Sequence, residues 1–285
     1  MKIIYTILLI FPSVLFAQKI DKKLQVQVEE LVKGFNGDIG IYIKSLKTNK
    51  VVQINADTIF PTASIVKIPI LIGIADKISK GELTYHQNLT YADSLLYAGE
   101  DILGSVKNAE KIQLSKVVML MLTTSDNTAS LWLQKLAGTG TNINEVLVNN
   151  GFENTRVNSR TLGRETDRNK YGWGQTTPKE MTTLLEKLYQ GKIINDSLSN
   201  KMIRLLGRNY WDEEALSEIP STIFVASKSG AVDASRSETL LVMAKQPYIF
   251  TILTKNNKDK SWETNNEAWV LTRKLSKLLY SYFGK

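Results

Sequence analysis

Strand-like runs lie at both ends of this sequence and helical periodicity fills its middle, an order that few folds accommodate. Near the start, 18–35 carries apolar residues at Ile20, Leu24, Val28, Leu31 and Val32, a helical spacing that Gly34 ends. Two short runs at 38–45 and 50–55, joined by Leu-Lys-Thr-Asn, read as a hairpin. A helical stretch follows over 62–78, with Pro69 expected to kink it. The apolar segment 117–122 reads as a buried helix and is too short to span a bilayer. Helical pattern continues through 180–189 and 196–206, strands return at 222–228, 238–244 and 248–255, and 265–283 is an amphipathic helix. The expectation is an α/β (α+β) fold: a five-stranded antiparallel sheet made of the hairpin and the three late strands, flanked by the terminal helices, with an inserted all-helical lobe. The sheet lobe would take about 18–60 and 207–285 and the helical lobe about 61–206, with the natural site in the cleft between them.

Residue counts remove whole classes of chemistry. The chain has no Cys, so it has no disulfide, no thiol nucleophile and no Cys-ligated metal, and the core must hold the fold by itself. His86 is the sole histidine and stands among polar residues, which reads as a surface position rather than the base of a triad. A nucleophilic enzyme built from this chain would draw its base from Lys, Glu or Asp. The formal charge of +8 is scattered, without zinc-finger spacing or an aromatic RNA-binding motif, and argues against nucleic acid. Lys2, the apolar stretch 3–16 and the small Ala17 read as a cleaved signal peptide over 1–17, implying a periplasmic or secreted chain with no membrane span after cleavage. No metal or other cofactor is expected, and a monomer is.

Three short motifs sit near the lobe junctions. In Ser64-Ile65-Val66-Lys67, residues three apart share a helix face, so hydroxyl and amine can meet; a lysine beside a serine activates it without histidine. Ser125-Asp126-Asn127 follows the buried helix directly, and its three residues also suit a helix end and a new N-cap. Lys228-Ser229-Gly230 closes a late strand and by itself reads as an ordinary turn.

Taken in order on those elements, the three motifs resemble the superfamily of class A β-lactamases and penicillin-binding proteins. Lys67-Ile68-Pro69, Thr176-Thr177-Pro178 with Met181, and Arg236 extend the resemblance over nearly all of 18–285. It implies that Ser64 is acylated, with Lys67 as base and Ser125 passing a proton to the leaving nitrogen. Asn127 would bind the substrate's side-chain amide, Lys228 would tune Ser125, and Ser229 and Arg236 would hold the substrate carboxylate. The backbone N–H groups of Ser64 and Ala231 would form the oxyanion hole. Cations around the cleft would then give the basic balance a local meaning. The implied partner is a small β-lactam or D-Ala-D-Ala-like molecule.

The resemblance fails at one position. The glutamate that serves deacylation in class A relatives falls on Thr161, whether counted from 151–157 or back from Thr176-Thr177-Pro178. A carboxylate appears instead at Glu165, one helical turn on. Glu165 either activates the water in its place or is a surface residue beside Arg164 and Arg168. Three activities stay open: a β-lactamase, a D,D-peptidase-like cell-wall hydrolase, and a penicillin-binding protein that deacylates slowly.

Overall fold

The structure, a computed structural model, describes residues 19–99 and 102–285; the expected signal peptide, 1–17, lies outside them. Strands β1 (Asp38–Ser45), β2 (Val51–Ile54), β3 (Val225–Val232), β4 (Ser235–Val242) and β5 (Tyr248–Lys255) form one antiparallel sheet in the order β2-β1-β5-β4-β3. The early hairpin thus pairs with the late strands through β1 and β5, as the sequence implies. Every residue of β4 is buried, and all of β5 but its last, because helices cover both faces of the sheet.

One face packs against the terminal helices α1 (Lys22–Val32) and α9 (Glu267–Phe283), where Leu24, Val28, Ile41, Ile43, Leu240, Phe250, Leu275 and Leu279 share a core. The other face meets α7 (Pro178–Tyr189), which Thr182 joins to Thr251 by a 2.8 Å hydrogen bond and Glu186 joins to Lys44 by an ion pair at 2.7 Å. A second core fills the helical lobe around α2 (Lys67–Ser79). Its residues 67–76 are all buried, so this helix is apolar on every side and occupies the lobe's centre. Helices α3 (Leu114–Thr123), α4 (Asn127–Leu136), α5 (Thr139–Asn149) and α8 (Asp196–Leu206) contribute to that core, and the short α6 (Glu165–Tyr171) lies on the segment that returns towards the sheet.

Two local expectations are corrected. Pro69 does not kink a helix: a 3-10 turn over Ala63–Val66 comes first, and Pro69 is the third residue of α2, where its missing N–H would have had no partner in any case. Lys228-Ser229-Gly230 lies inside β3 rather than at a strand end, because the strand starts and finishes later than its apolar run suggests. His86 is exposed and stands edge-on to Tyr85, a surface residue as expected.

Candidate active site

The nucleophile turn is set by its neighbours. Ala63, just before Ser64, is held at φ +44°, a conformation that costs a non-glycine residue free energy and survives only where surrounding packing fixes it. Packing against β3 supplies that restraint. A Cβ on Gly230 would come within 2.7 Å of both the Ser64 nitrogen and the Thr62 oxygen, so only glycine lets the strand lie this close to the turn. Ala231 follows on the strand and lines the same cleft as Ser64.

Across the cleft, Ser125 ends the turn after α3 with φ +63°. Asp126 then caps α4: its side chain accepts the Ala129 N–H at 2.7 Å and the Leu103 N–H at 2.8 Å, which fixes the turn and with it Ser125 and Asn127. The Asp126 signal was legible as a cap; its second partner, Leu103, lies too far away in sequence to be foreseen.

Lys67 gathers the site. Its fully buried ammonium stands 2.9 Å from Ser64 Oγ, 3.0 Å from Ser125 Oγ, 2.5 Å from the Ser125 carbonyl and 2.9 Å from Asn127 Oδ1. These four oxygens exceed the three N–H donors of an ammonium, so not every one of them can be served by Lys67 at once. A hydroxyl of Ser64 or Ser125 that the ammonium does not serve can donate its own proton elsewhere. The structure thus brings Ser64, Lys67, Ser125 and Asn127 into one hydrogen-bonded cluster.

Lys228 is also fully buried and donates to the Ser229 carbonyl at 3.0 Å rather than to Ser125. Burial pushes its ammonium down to about 8, against a rise from Glu238. Glu238 sits opposite Ser229 in the β3–β4 register and is buried as completely; burial pushes its carboxyl up to about 8. One Glu238 oxygen accepts the Ala215 N–H at 3.0 Å and the other has no hydrogen-bond partner.

Two residues expected at the substrate, Arg236 and Glu165, are not among those lining the cleft. Arg236 is spent on the scaffold: its guanidinium donates to the carbonyls of Val232, Asp233 and Ser235 at the β3–β4 turn and to those of Lys260 and Ser261 in the loop before α9. Its Cζ also lies 4.4 Å from the centre of the Trp262 ring, and Arg236 is not among the residues that line the cleft. Glu165 is exposed at the start of α6 and accepts the Gly163 N–H at 3.2 Å; it too is absent from the cleft. Arg164 pairs with Asp167 at 2.9 Å and bonds Asn158 and Gln175, not Glu165. Thr161 is buried, donates to the Ser159 carbonyl at 2.9 Å, and fills the space beside Gly140 at the start of α5.

The cleft has a volume of about 840 Å³ and a lining that sequence motifs did not reveal. Besides Ser64, Ser125, Asn127 and Ser229 it takes in Tyr210, Trp211, Glu213, Glu214, Trp262, Glu263 and Trp269, with no Lys or Arg among the described lining residues. The cations that the resemblance placed around the cleft are beneath its floor or in its scaffold. The run Tyr-Trp-Asp-Glu-Glu at 210–214 was the available signal, since adjacent aromatics between two element patterns mark a loop with a task.

Fold and cluster together define a protein of the β-lactamase and transpeptidase architecture. The chain belongs to the Beta-lactamase enzyme family, whose family model matches residues 23–283. It is 26% identical over 241 residues to the β-lactamase VEB-1 of Pseudomonas aeruginosa, covering 81% of this chain and 80% of that protein. Among solved structures, PBP-A superposes with a TM-score of 0.82 at 23% identity, covering 93% of this chain and 97% of that one. The TLA-1 extended-spectrum β-lactamase superposes with a TM-score of 0.82 at 16% identity, covering 93% and 99%. Among the described residues, no helix is long and apolar enough to cross a membrane.

Proposed function

We propose that this chain is a serine β-lactamase that works through an acyl-enzyme on Ser64, with deacylation as its slow half. The carrying observation is the buried Lys67 amine, 2.9 Å from Ser64 Oγ and 3.0 Å from Ser125 Oγ. That spacing gives a two-way proton path. Ser64 Oγ attacks the lactam carbonyl as its proton passes to Lys67, and the backbone N–H groups of Ser64 and Ala231 hold the oxyanion. The C–N bond breaks, Ser125 gives its proton to the departing nitrogen, and Lys67 restores it. Asn127 Oδ1 is taken by Lys67, which leaves its NH2 group for the carbonyl of the acyl side chain. Ser229, with Lys228 beneath it, receives the ring carboxylate. Water then cleaves the ester, releasing the acid and regenerating Ser64. The family, and the β-lactamase VEB-1 as a relative, support this reading.

Slow deacylation is supported by Thr161, which has no carboxylate, and by Glu165, which is exposed and outside the cleft lining; no carboxylate of 158–176 lines it. A variant of PBP-A has been captured as an acyl-enzyme with penicillin G. Pre-steady-state nitrocefin hydrolysis tests the proposal. The expected trace is a burst of about one equivalent per Ser64 followed by slower steady turnover, both lost in Ser64→Ala. Glu165→Gln should leave the slow phase unchanged. The D,D-peptidase alternative uses the same four residues; turnover of a D-Ala-D-Ala peptide without turnover of nitrocefin would put it first.

A further inference from the structure

The net charge of the chain and the charge of its cleft have opposite signs. The protein carries +8, yet the charged side chains lining the cleft are Glu213, Glu214 and Glu263. Glu214 is neutralised by Arg273 at 2.5 Å. Glu213 and Glu263 are exposed and have no ion pair among the described residues. Three exposed aromatic rings, Tyr210, Trp211 and Trp262, line the same cleft. Aromatic surface exposed beside free carboxylates inside a concavity marks a ligand-binding groove.

The rings are held in place. Trp211 Nε1 donates to the Thr124 carbonyl at 3.0 Å, and the Tyr210 N–H donates to Thr123 at 3.0 Å, so this segment is fastened to the turn that carries Ser125. Tyr210 and Trp211 meet edge-to-face at 5.3 Å. Trp262 has the Arg236 guanidinium against its ring and is still 68% exposed. Fixed aromatic faces beside carboxylates are the means by which proteins hold organic cations. Ser125 is the group that protonates the departing nitrogen, and Asn127, which takes the acyl side chain, lies on α4 beyond it. The wall is hydrogen-bonded to Thr123 and Thr124, on the α3 side of Ser125 and opposite in the chain to Asn127, which puts it with the leaving nitrogen rather than the acyl side chain.

We infer that Tyr210, Trp211, Glu213, Trp262 and Glu263 form a subsite for an organic cation carried on the leaving-nitrogen half of the substrate, such as a pyridinium or quaternary ammonium arm. The inference rests on the proposed acylation of Ser64. Its consequence is a preference between substrates with the same acyl half, and a second anion on that arm would be disfavoured.

Cephaloridine and cephalothin make the test, since they share a thienylacetyl side chain and differ in a pyridinium against an acetoxy arm. Acylation rates, each divided by the rate of hydroxide hydrolysis of the same compound, should favour cephaloridine by about tenfold, equal to ~1.4 kcal/mol. In the Glu213→Gln/Glu263→Gln double variant the ratio should fall to about twofold or less, and added salt should narrow it in the native chain. A ratio near one in the native chain, or one unchanged in the double variant, overturns the subsite. Calorimetric titration of the Ser64→Ala protein with both compounds separates the two claims. If neither compound acylates Ser64 but cephaloridine binds about tenfold tighter, the subsite stands and the β-lactamase reading fails. If both acylate without preference, the reverse holds; if neither binds nor acylates, both fail.

Discussion

Arg236 shows how completely the scaffold can occupy one side chain. Five carbonyls from two segments converge on its guanidinium, and its ring partner is a tryptophan of the cleft wall. Removing it strands those carbonyls and releases the loop before α9. Arg236→Ala should therefore lower the unfolding free energy by on the order of 2–3 kcal/mol, read from urea midpoints. A variant of native stability whose KM for penicillin G rose about a hundredfold would instead show that the arginine binds the substrate carboxylate. Its sequence position matched the family arginine well; its occupation by the backbone could not be foreseen, since Lys260 and Ser261 lie far along the chain. Glu165 teaches the same at Thr161. Counting along the chain finds a carboxylate one turn away, but the turn faces solvent, and spacing alone does not report the direction of a side chain.

At the scale of elements, the site depends on how β3 meets the nucleophile turn and on how the cleft wall is docked. Gly230→Ala would force a Cβ to 2.7 Å from the Ser64 nitrogen, and the strand or the turn must give way. A shift approaching 1 Å at a reacting centre costs about a hundredfold in rate, so kcat/KM for nitrocefin should fall by about that factor while circular dichroism stays native. Near-native activity would contradict the contact. The cleft wall is tied down at a 3-10 turn, Ala215–Glu218. Ser276 Oγ donates to the Ala215 carbonyl at 2.6 Å, and Glu238 accepts the Ala215 N–H from inside the sheet. With its folded pKa raised from 4.5 to about 8, Glu238 holds its proton more tightly in the native state than in the unfolded one. Its stabilising contribution is complete below the unfolded value and is lost as pH rises through the folded one. The native chain should therefore lose stability against Glu238→Gln between about pH 5 and pH 9, measured as the difference in urea midpoints. A difference independent of pH would contradict the buried acid.

For the molecule as a whole, the order of patterns along the chain carries the architecture. The hairpin at the start and the three strands at the end satisfy their backbone edges in one sheet, and the terminal helices and α7 then cover its two faces. Three motifs then meet at the lobe junction from different elements: Ser64 where the chain passes from sheet to helices, Ser125 in the turn between α3 and α4, and Lys228 inside β3. Short-range chemistry was therefore legible: Ser64 and Lys67 share a turn, and Asp126 caps a helix. What depended on long-range packing was not, including the diversion of Arg236 and the acidic aromatic wall made by 210–214 and 262–264. The same asymmetry separates the two halves of the reaction. The groups for acylation are in contact, whereas the segment 158–176 brings no carboxylate to the cleft. The most direct test is a mass-spectrometric time course of the protein with penicillin G. One adduct should form on the peptide containing Ser64, persist through the burst, and then decay as hydrolysed penicillin accumulates. An absent adduct, or one that also forms on Ser64→Ala, would contradict the account.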